Sequence, residues 1–312
     1  MELKRYTPPF DHEPILDLWG SIFGKAEAEL ERPQIDGTEA AYNEDITFVA
    51  QEDGVILGTV HVTIPRTGPK LCGVGGVCTT PAARGKGVGR WLFGAVMEEL
   101  DRDGVRAMVL GTSNPVAAKL YHSFGFAYRP GSNVMMRYAM GDTVDFEREL
   151  FASPENVQVV EGDPSMRIPL VPLVLHRGKF VLLDCNTALV NSTHLNQLSC
   201  MGLYPKYMDL MARGGHCFGA VGDNGVLGGM ASVESTDRGM RADLFFCDGF
   251  AGAAPELLDA CRKAAGGEVY LQIADCDAAK KRLAEELGFR PAEPVTLAIR
   301  GLQIPCTIYR MK

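Results

Sequence analysis

Residues 77–90 read Val77-Cys-Thr-Thr-Pro-Ala-Ala-Arg84-Gly85-Lys86-Gly87-Val88-Gly89-Arg90. The residues before this stretch, from Gly73 to Thr79, are mostly small or apolar and read as a strand. The residues after it place Trp91, Leu92, Val96 and Leu100 at helical spacing, so a helix is expected to run through about Leu100. A strand that enters a helix through glycines leaves several backbone N–H groups unpaired at the positive end of the helix dipole. Glycine lets that backbone approach an anion closely, and successive N–H groups make a concave nest. Arg84 and Lys86 add positive charge to the rim. The stretch therefore predicts a pyrophosphate cradle. Two cofactor readings fail on it. A Walker A loop needs Ser or Thr after Gly-Lys, and here Gly87 follows Lys86. The dinucleotide fingerprint Gly-x-Gly-x-x-Gly is not met either, because Gly85, Gly87 and Gly89 alternate, and Gly73, Gly75 and Gly76 lie inside the strand.

Outward from the loop, the first half alternates strands and helices. A strand is expected over residues 2–6, and a helix where Ile15, Leu16, Leu18, Trp19, Ile22 and Phe23 recur. Residues 47–52 and 55–64 read as paired strands across the turn Asp53-Gly54. Residues 107–111 read as a buried strand, and 115–123 as a helix with Pro115 in its tolerated first turn. Residues 126–129 and 133–140 complete a sheet. This order implies a mixed α/β layer structure with one central sheet.

A second segment gives the loop its context. Asn114-Pro-Val-Ala117-Ala-Lys-Leu-Tyr121-His-Ser-Phe-Gly125-Phe126 resembles the cofactor segment Asn-x-x-Ala-x-x-x-Tyr-x-x-x-Gly-Phe of the GNAT superfamily of N-acetyltransferases, with every fixed position matched. Arg84-Gly-Lys-Gly87-Val-Gly89 resembles the same family's Gln/Arg-x-x-Gly-x-Gly/Ala signature. Acetyl-CoA is then the implied cosubstrate, with no metal. The resemblance implies that Gly85, Lys86, Gly87, Val88, Gly89 and Arg90 bind the CoA pyrophosphate beside Arg84. It implies that Val77, Cys78 and Thr79 pair with the pantetheine arm as an edge strand would, that Asn114 and Ala117 flank that arm, and that Tyr121 protonates the departing thiolate. Direct attack by an amine is the family's usual route.

The base that takes the amine's proton is not legible. Glu44, Asp45 and Glu52 are candidates only by being acidic, and His61 and His122 by their ordinary titration range. Both histidines are otherwise read as satisfied groups, since the six histidines form no ligand-spaced cluster. Cys78 lies in an apolar strand with no histidine partner in view, against a covalent acyl-enzyme. The nine cysteines show no Cys-x-x-Cys pair and several sit in apolar runs, so buried free thiols are expected in a reducing cytoplasm.

Residues 141–165 are largely polar and hold Gly141, Pro154, Gly162 and Pro164, which marks the junction of two domains, 1–145 and 146–312. Strands are expected in the second half at 217–221, 226–233, 241–247, 269–274 and from 290 onward, and helices at 255–265 and 278–287. The order repeats the first half, and both halves end a helix in Gly-Phe, at Gly125-Phe126 and Gly288-Phe289. The second half lacks the Arg-x-x-Gly-x-Gly loop, puts Asp248 near the place of the phosphates and has Ala284 in place of the tyrosine. It is expected to be a degenerate GNAT-like domain, either structural or a wall of the acceptor site. The charges of residues 278–287 read as a solvated helix face. Residues 166–216 fit this scheme poorly.

Composition sets the remaining bounds. With 46% hydrophobic and 22% charged residues, the chain is too apolar for disorder, and it holds no apolar run long enough for a membrane span. The opening residues have no secretory signal, so a cytoplasmic protein is expected. A net charge of −8 without a basic block argues against nucleic acid and weakly favours a cationic small-molecule amine as acceptor. A protein acceptor, or a catalytically silent acyl-CoA sensor, stays open as an alternative, and the oligomeric state is not legible.

Overall fold

The computed structural model describes residues 1–139 and 143–311. The chain forms two compact units. The first comprises Met1–Arg129, Asn133–Thr143 and Leu198–Met201, and the second Pro130–Ser132, Val144–Gln197 and Gly202–Lys312.

The first half runs β1 (Glu2–Tyr6), α1 (Glu13–Phe23), α2 (Lys25–Ile35), β2 (Asn43–Glu52), β3 (Val55–Pro65), β4 (Leu71–Thr79), α3 (Val88–Arg102), β5 (Ala107–Gly111), α4 (Pro115–His122), β6 (Ala127–Tyr128) and β7 (Val134–Tyr138). Its strands form one sheet in the order β1-β2-β3-β4-β5-β7-β6. Asp53 (φ 50°) and Gly54 (φ 80°) close the β2–β3 hairpin with positive φ at both turn positions, as Asp-Gly favours. β4 and β5 are parallel; the other neighbours are antiparallel. The parallel pair holds only at Leu71–Ala107, Cys72–Met108 and Gly73–Val109. Beyond Gly73 the two strands part, and β4 keeps its pairing with β3 alone. α3 buries Leu92, Phe93, Val96, Met97 and Leu100 against Phe48, Val60, Val62 and Val74 of the sheet. Each such side chain contributes about 1.5–3 kcal/mol by leaving water, which fixes α3 and the loop that precedes it.

The chain continues through α5 (Thr143–Leu150), β8 (Val157–Glu161), α6 (Leu170–Leu175), β9 (Leu182–Asp184), β10 (Leu189–Val190), α7 (Tyr204–Ala212), β11 (His216–Gly222), β12 (Leu227–Thr236), β13 (Gly239–Phe246), α8 (Ala254–Ala265), β14 (Tyr270–Ala274), α9 (Ala278–Glu286), β15 (Phe289–Ile299) and β16 (Leu302–Met311). The second large sheet reads β8-β11-β12-β13-β14-β16-β15 from its β8 edge. This repeats the first sheet strand for strand. It includes the single parallel pair, β13–β14, which again holds over a short register, Arg241–Tyr270 and Ala242–Leu271. The two mixed, helix-flanked sheets are the two tandem α/β layers expected from the sequence.

Several elements differ from the expectation. α2 was not foreseen. Its exposed Glu and Arg residues give it no apolar stripe, and Pro33 stands in its last turn. The polar stretch 141–165 is not a bare linker: it holds α5 and β8, and buries Phe146, Leu150 and Phe151. Gly141, and the Met140 end of the expected last strand, lie outside the described residues. The strand expected from Arg290 onward is a hairpin, turned at Arg300 (φ 48°) and Gly301 (φ 80°). Residues 166–216 supply α6, the β9–β10 pair and α7, while Leu198–Met201 packs with the first unit.

Candidate functional site

The loop between β4 and α3 is held at both ends by burial. Ala83, in the short 3-10 turn after Thr80, and Val88, the first residue of α3, are both in the core. Between them Gly85 (φ 74°) and Gly87 (φ 80°) take left-handed conformations that an L side chain would strain. The first helical hydrogen bond runs from Trp91 N to Gly87 O (3.0 Å). The backbone amides of residues 85–90 therefore donate to no acceptor among the described residues. These amides lie at the positive end of α3, where partial charge of about +0.5 accumulates, and the space beside Gly85 and Gly87 is open. Arg84, Lys86 and Arg90 are exposed around them, with Arg84 Nε donating to Thr79 O (3.3 Å) and the Arg90 guanidinium 5.8 Å from the Phe124 ring centre. An anion with several acceptor oxygens fits this cradle.

Next to the loop, the parting of β4 from β5 opens a cleft of about 390 Å³. Residues 74–77 of β4, residues 110–112 at the end of β5, and Asn114, Ala117 and Tyr121 of α4 line one side. Trp19 and Phe23 of α1, Glu27, Ala28 and Glu31 of α2, and Met201 line the other. Asn114 caps α4: its Oδ1 accepts from Val116 N (2.9 Å) and Ala117 N (3.4 Å), which pairs two of the helix's orphan donors. α4 then carries Tyr121 one face further on, packed with Phe93 (ring centres 5.1 Å) and Phe126 (6.2 Å). Tyr121 is 5% exposed, and its hydroxyl finds no hydrogen-bond partner among the described residues. Burial pushes the phenol well above its usual range, and the nearby Cys78 and Cys200 push in the same direction, so the group stays protonated through neutral and mildly alkaline pH.

The opposite wall is equally fixed. Trp19 Nε1 donates to Thr59 Oγ1 (2.9 Å), which donates to Gly76 O (2.6 Å). Gly76 lies at the β3–β4 register shift with φ 54°, and a Cβ there would stand 2.3 Å from Trp19 Cζ2. Only glycine lets the indole pack flat over this strand. On α2, Gln34 is fully buried, and its Nε2 donates to Glu31 Oε2 at 2.5 Å. Gln34 Oε1 lies 2.9 Å from Thr63 Oγ1, which in turn lies 2.6 Å from Asp45 Oδ1.

Of the residues singled out from the sequence, Val77, Asn114, Ala117 and Tyr121 meet in this cleft. Thr79, Arg84, Gly85, Lys86, Gly87, Val88, Gly89 and Arg90 form or adjoin the amide cradle. Cys78 is in β4, but its sulfur packs with Ile15, Leu16 and Trp19 and lies 3.2 Å from Thr59 Oγ1; burial pushes its thiol up. That is the setting of an inert thiol. The base candidates from the sequence do not line the cleft. Glu44 pairs with Arg5 (3.4 Å), Glu52 with the chain's amino terminus (3.0 Å), and Asp45 with His61 (3.4 Å) inside the sheet. His122 Nδ1 lies 2.8 Å from Phe126 O. The carboxylates that do line it, Glu27 and Glu31, escaped the sequence reading because α2 did. Their spacing of four in a run of good helix formers was the available signal, since it puts both on one helix face.

The second unit has the corresponding strand–turn–helix, from β13 through a short 3-10 turn at Asp248–Ala253 into α8. Its space is taken. A Cβ on Gly249 would lie 2.6 Å from Phe151 O and 3.0 Å from Ser153 N, and Asp248 pairs with Lys179 at 2.9 Å. Lys280 of α9 corrects the solvated-face reading. It is 2% exposed, its Nζ lies 2.5 Å from Asp243 Oδ1, and it donates to Leu182 O and Leu183 O. Asp184, Cys185 and Asp243 are spaced as metal ligands, and the Lys280 ammonium already supplies their cation. Among the described residues the cysteines are free, and all but Cys276 are buried. No described helix is long and apolar enough to cross a membrane.

Comparison with known proteins places these features. Residues 12–126 match the model of the acetyltransferase (GNAT) family. No curated protein matches the chain. Among solved structures, an N-acetyltransferase from Staphylococcus aureus Mu50 is 13% identical, with 51% of this chain and 99% of that one covered and a TM-score of 0.38. A phosphinothricin acetyltransferase of the GNAT superfamily from Sinorhizobium meliloti, in complex with acetyl-CoA, is 10% identical over 49% of this chain and 86% of that one, with a TM-score of 0.37. A chimera of the spermidine N-acetyltransferase from Vibrio cholerae with hSSAT is 13% identical over 50% and 94%, with a TM-score of 0.38.

Proposed function

We propose, from the match of residues 12–126 to the acetyltransferase (GNAT) family model, that the protein moves the acetyl group of acetyl-CoA to an amine of a small molecule. The observation that carries this reading is the run of amides at residues 85–90 that make no hydrogen bond among the described residues, next to a cleft lined by Tyr121.

In this reading the CoA pyrophosphate rests on the amides of residues 85–90, with Arg84, Lys86 and Arg90 at the rim. The pantetheine arm follows the unpaired edge of β4 past Thr79, Cys78 and Val77, with Asn114 and Ala117 across from it. The amine nitrogen, once it has lost a proton to water, attacks the thioester carbonyl carbon. The C–N bond forms and the C–S bond breaks. Tyr121 gives its hydroxyl proton to the departing thiolate, and the second proton of the attacking amine returns through solvent to Tyr121. Burial keeps the phenol in the protonated form that this step requires. Cys78 plays no covalent part, since its sulfur packs away from the cleft. Catalysis belongs to the first domain, residues 1–145. The second, 146–312, binds no CoA, because backbone of residues 151–153 fills the space over its matching turn.

Calorimetric titration with acetyl-CoA tests this. One acetyl-CoA per chain is expected, and Gly87→Glu is expected to lower the affinity at least tenfold, by setting a carboxylate where the phosphates lie, about 1.4 kcal/mol or more. Two per chain would overturn the silent second domain. No binding, or unchanged affinity in Gly87→Glu, would overturn the cradle.

A further inference from the structure

We propose that Met201 limits the length of the acyl group that the cleft accepts, so that acetyl fits and long straight chains do not. The inference rests on the acyl-transfer reading above and adds to it a residue outside the matched stretch 12–126. Although it comes late in the chain, Leu198–Met201 belongs to the first unit. Two glycines make room for it. The last paired position of the parallel strands is Gly73–Val109, and the next residues on the same side of each strand are Gly75 on β4 and Gly111 on β5. A Cβ on Gly111 would lie 3.2 Å from Cys200 Sγ and 3.3 Å from Cys200 N, and a Cβ on Gly75 would lie 3.7 Å from Met201 Cε. Consecutive residues thus pack on the two strands, and the segment spans the gap that their parting opens. Cys200 is 1% exposed, which pins the backbone there, and Met201 lines the cleft with its methyl over Gly75.

The direction of the cofactor arm decides what meets that methyl. An arm that runs past Thr79, Cys78 and Val77 brings its thioester toward Gly76 and Gly75, and the acyl chain continues along β4 under Met201. Once the space beneath the methyl is filled, each further methylene must displace the side chain or the acyl group itself, and overpacking of this kind is unfavourable. An apolar pocket separates chains that differ by one methylene by about tenfold or more. Methionine gives way more easily than a branched or aromatic side chain, which places the effect here at the low end of that range.

The test needs no acceptor. Calorimetry measures the affinities of CoA, acetyl-CoA and hexanoyl-CoA for the full chain and for Met201→Ala. Each thioester is compared with CoA on the same protein, so that a general loss of binding cancels. In the parent chain hexanoyl-CoA is expected to bind about tenfold or more weakly than acetyl-CoA. In Met201→Ala, which clears the space over Gly75, the gap is expected to close to within about threefold. Met201→Val shortens the side chain with a smaller loss of packing, and carries the test if Met201→Ala does not fold. Equal binding of acetyl-CoA and hexanoyl-CoA by the parent chain, or a gap that survives the substitution, overturns the proposal and leaves the acyl-transfer reading standing. No binding of CoA or of either thioester overturns that reading, and this proposal with it.

Discussion

Gln34 Nε2 donates to Glu31 Oε2 at 2.5 Å, although Gln34 is fully buried and Glu31 lines a cleft. The contact ties a carboxylate at the site to a polar group inside the fold. Gln34 is itself held near Thr63, and Thr63 near Asp45 and His61, whose ring packs edge-on at 5.8 Å to Trp19. Two walls of the cleft thus share one buried network. Gln34→Leu keeps the volume and deletes the amide. The change is expected to cost about 1–3 kcal/mol of stability, by leaving buried polar groups without partners. Urea denaturation checks this.

Tyr121→Phe separates packing from chemistry. The ring keeps its contacts with Phe93 and Phe126. The lost hydroxyl has no hydrogen-bond partner among the described residues, so stability is expected to hold or to rise by up to about 1 kcal/mol, read as an unchanged or higher thermal midpoint. Turnover is expected to fall about 100-fold or more, the usual worth of a positioned acid. Unchanged turnover in a folded variant would remove Tyr121 from the mechanism.

Alkaline pH is expected to destabilise the fold. Burial pushes the thiols of Cys72, Cys185 and Cys261 well up, and those of Cys200 and Cys217 to about 12. In the unfolded chain these groups titrate near 9. Below that pH both states hold their protons, and the thiols give stability no slope. Above it the unfolded chain binds fewer protons than the folded one, so stability falls by up to about 1.4 kcal/mol per pH unit for each such thiol. Urea midpoints at pH 7.5 and 10, under reductant, are expected to show the drop. Cys200→Ala is expected to lessen it.

What the sequence disclosed follows from where its signals are local. The Arg84–Gly89 loop and the Asn114–Tyr121 helix were legible because turn glycines, a capping Asn and a strand-to-helix switch act over a few neighbouring residues. The repeated strand order was legible for the same reason. α2 was not, because its buried face is Ala28, Gln34 and Ile35, too small and too polar to give an apolar period. β8 was lost in a polar stretch because it is an edge strand of half-buried and exposed residues, paired on one side only. The β15–β16 turn was lost because Arg300 occupies a left-handed position that usually announces itself with Asn, Asp or Gly. The two carboxylates that line the cleft, Glu27 and Glu31, went unseen with α2.

Lys280 is the sharpest case of a charge whose setting only the fold reveals, and it makes the strongest stability prediction. Its ammonium joins Asp243 on β13 to the carbonyls of Leu182 and Leu183 on β9. Asp277, at the start of the same helix, accepts from Val181 N (2.6 Å), so α9 pins the β9 strand at two points. Asp184 lies beside this group; burial pushes its carboxyl up, and the Asp243 charge adds to that. Lys280→Ala leaves the Asp243 carboxylate buried without its cation and two carbonyls without a donor. The expected cost is about 3–5 kcal/mol. Asp243 and Asp184, left facing each other, are driven to hold a proton, so the loss is expected to be greater at pH 8 than at pH 5. Lys280→Met/Asp243→Asn removes both charges and keeps the volume, and is expected to recover most of the lost stability. Amide hydrogen exchange at Leu182 and Leu183 reads the effect locally. Fast exchange in Lys280→Ala and slow exchange in the double variant is the expected pattern, and equal protection in Lys280→Ala and the parent chain would show that the ion pair does not hold β9 in place.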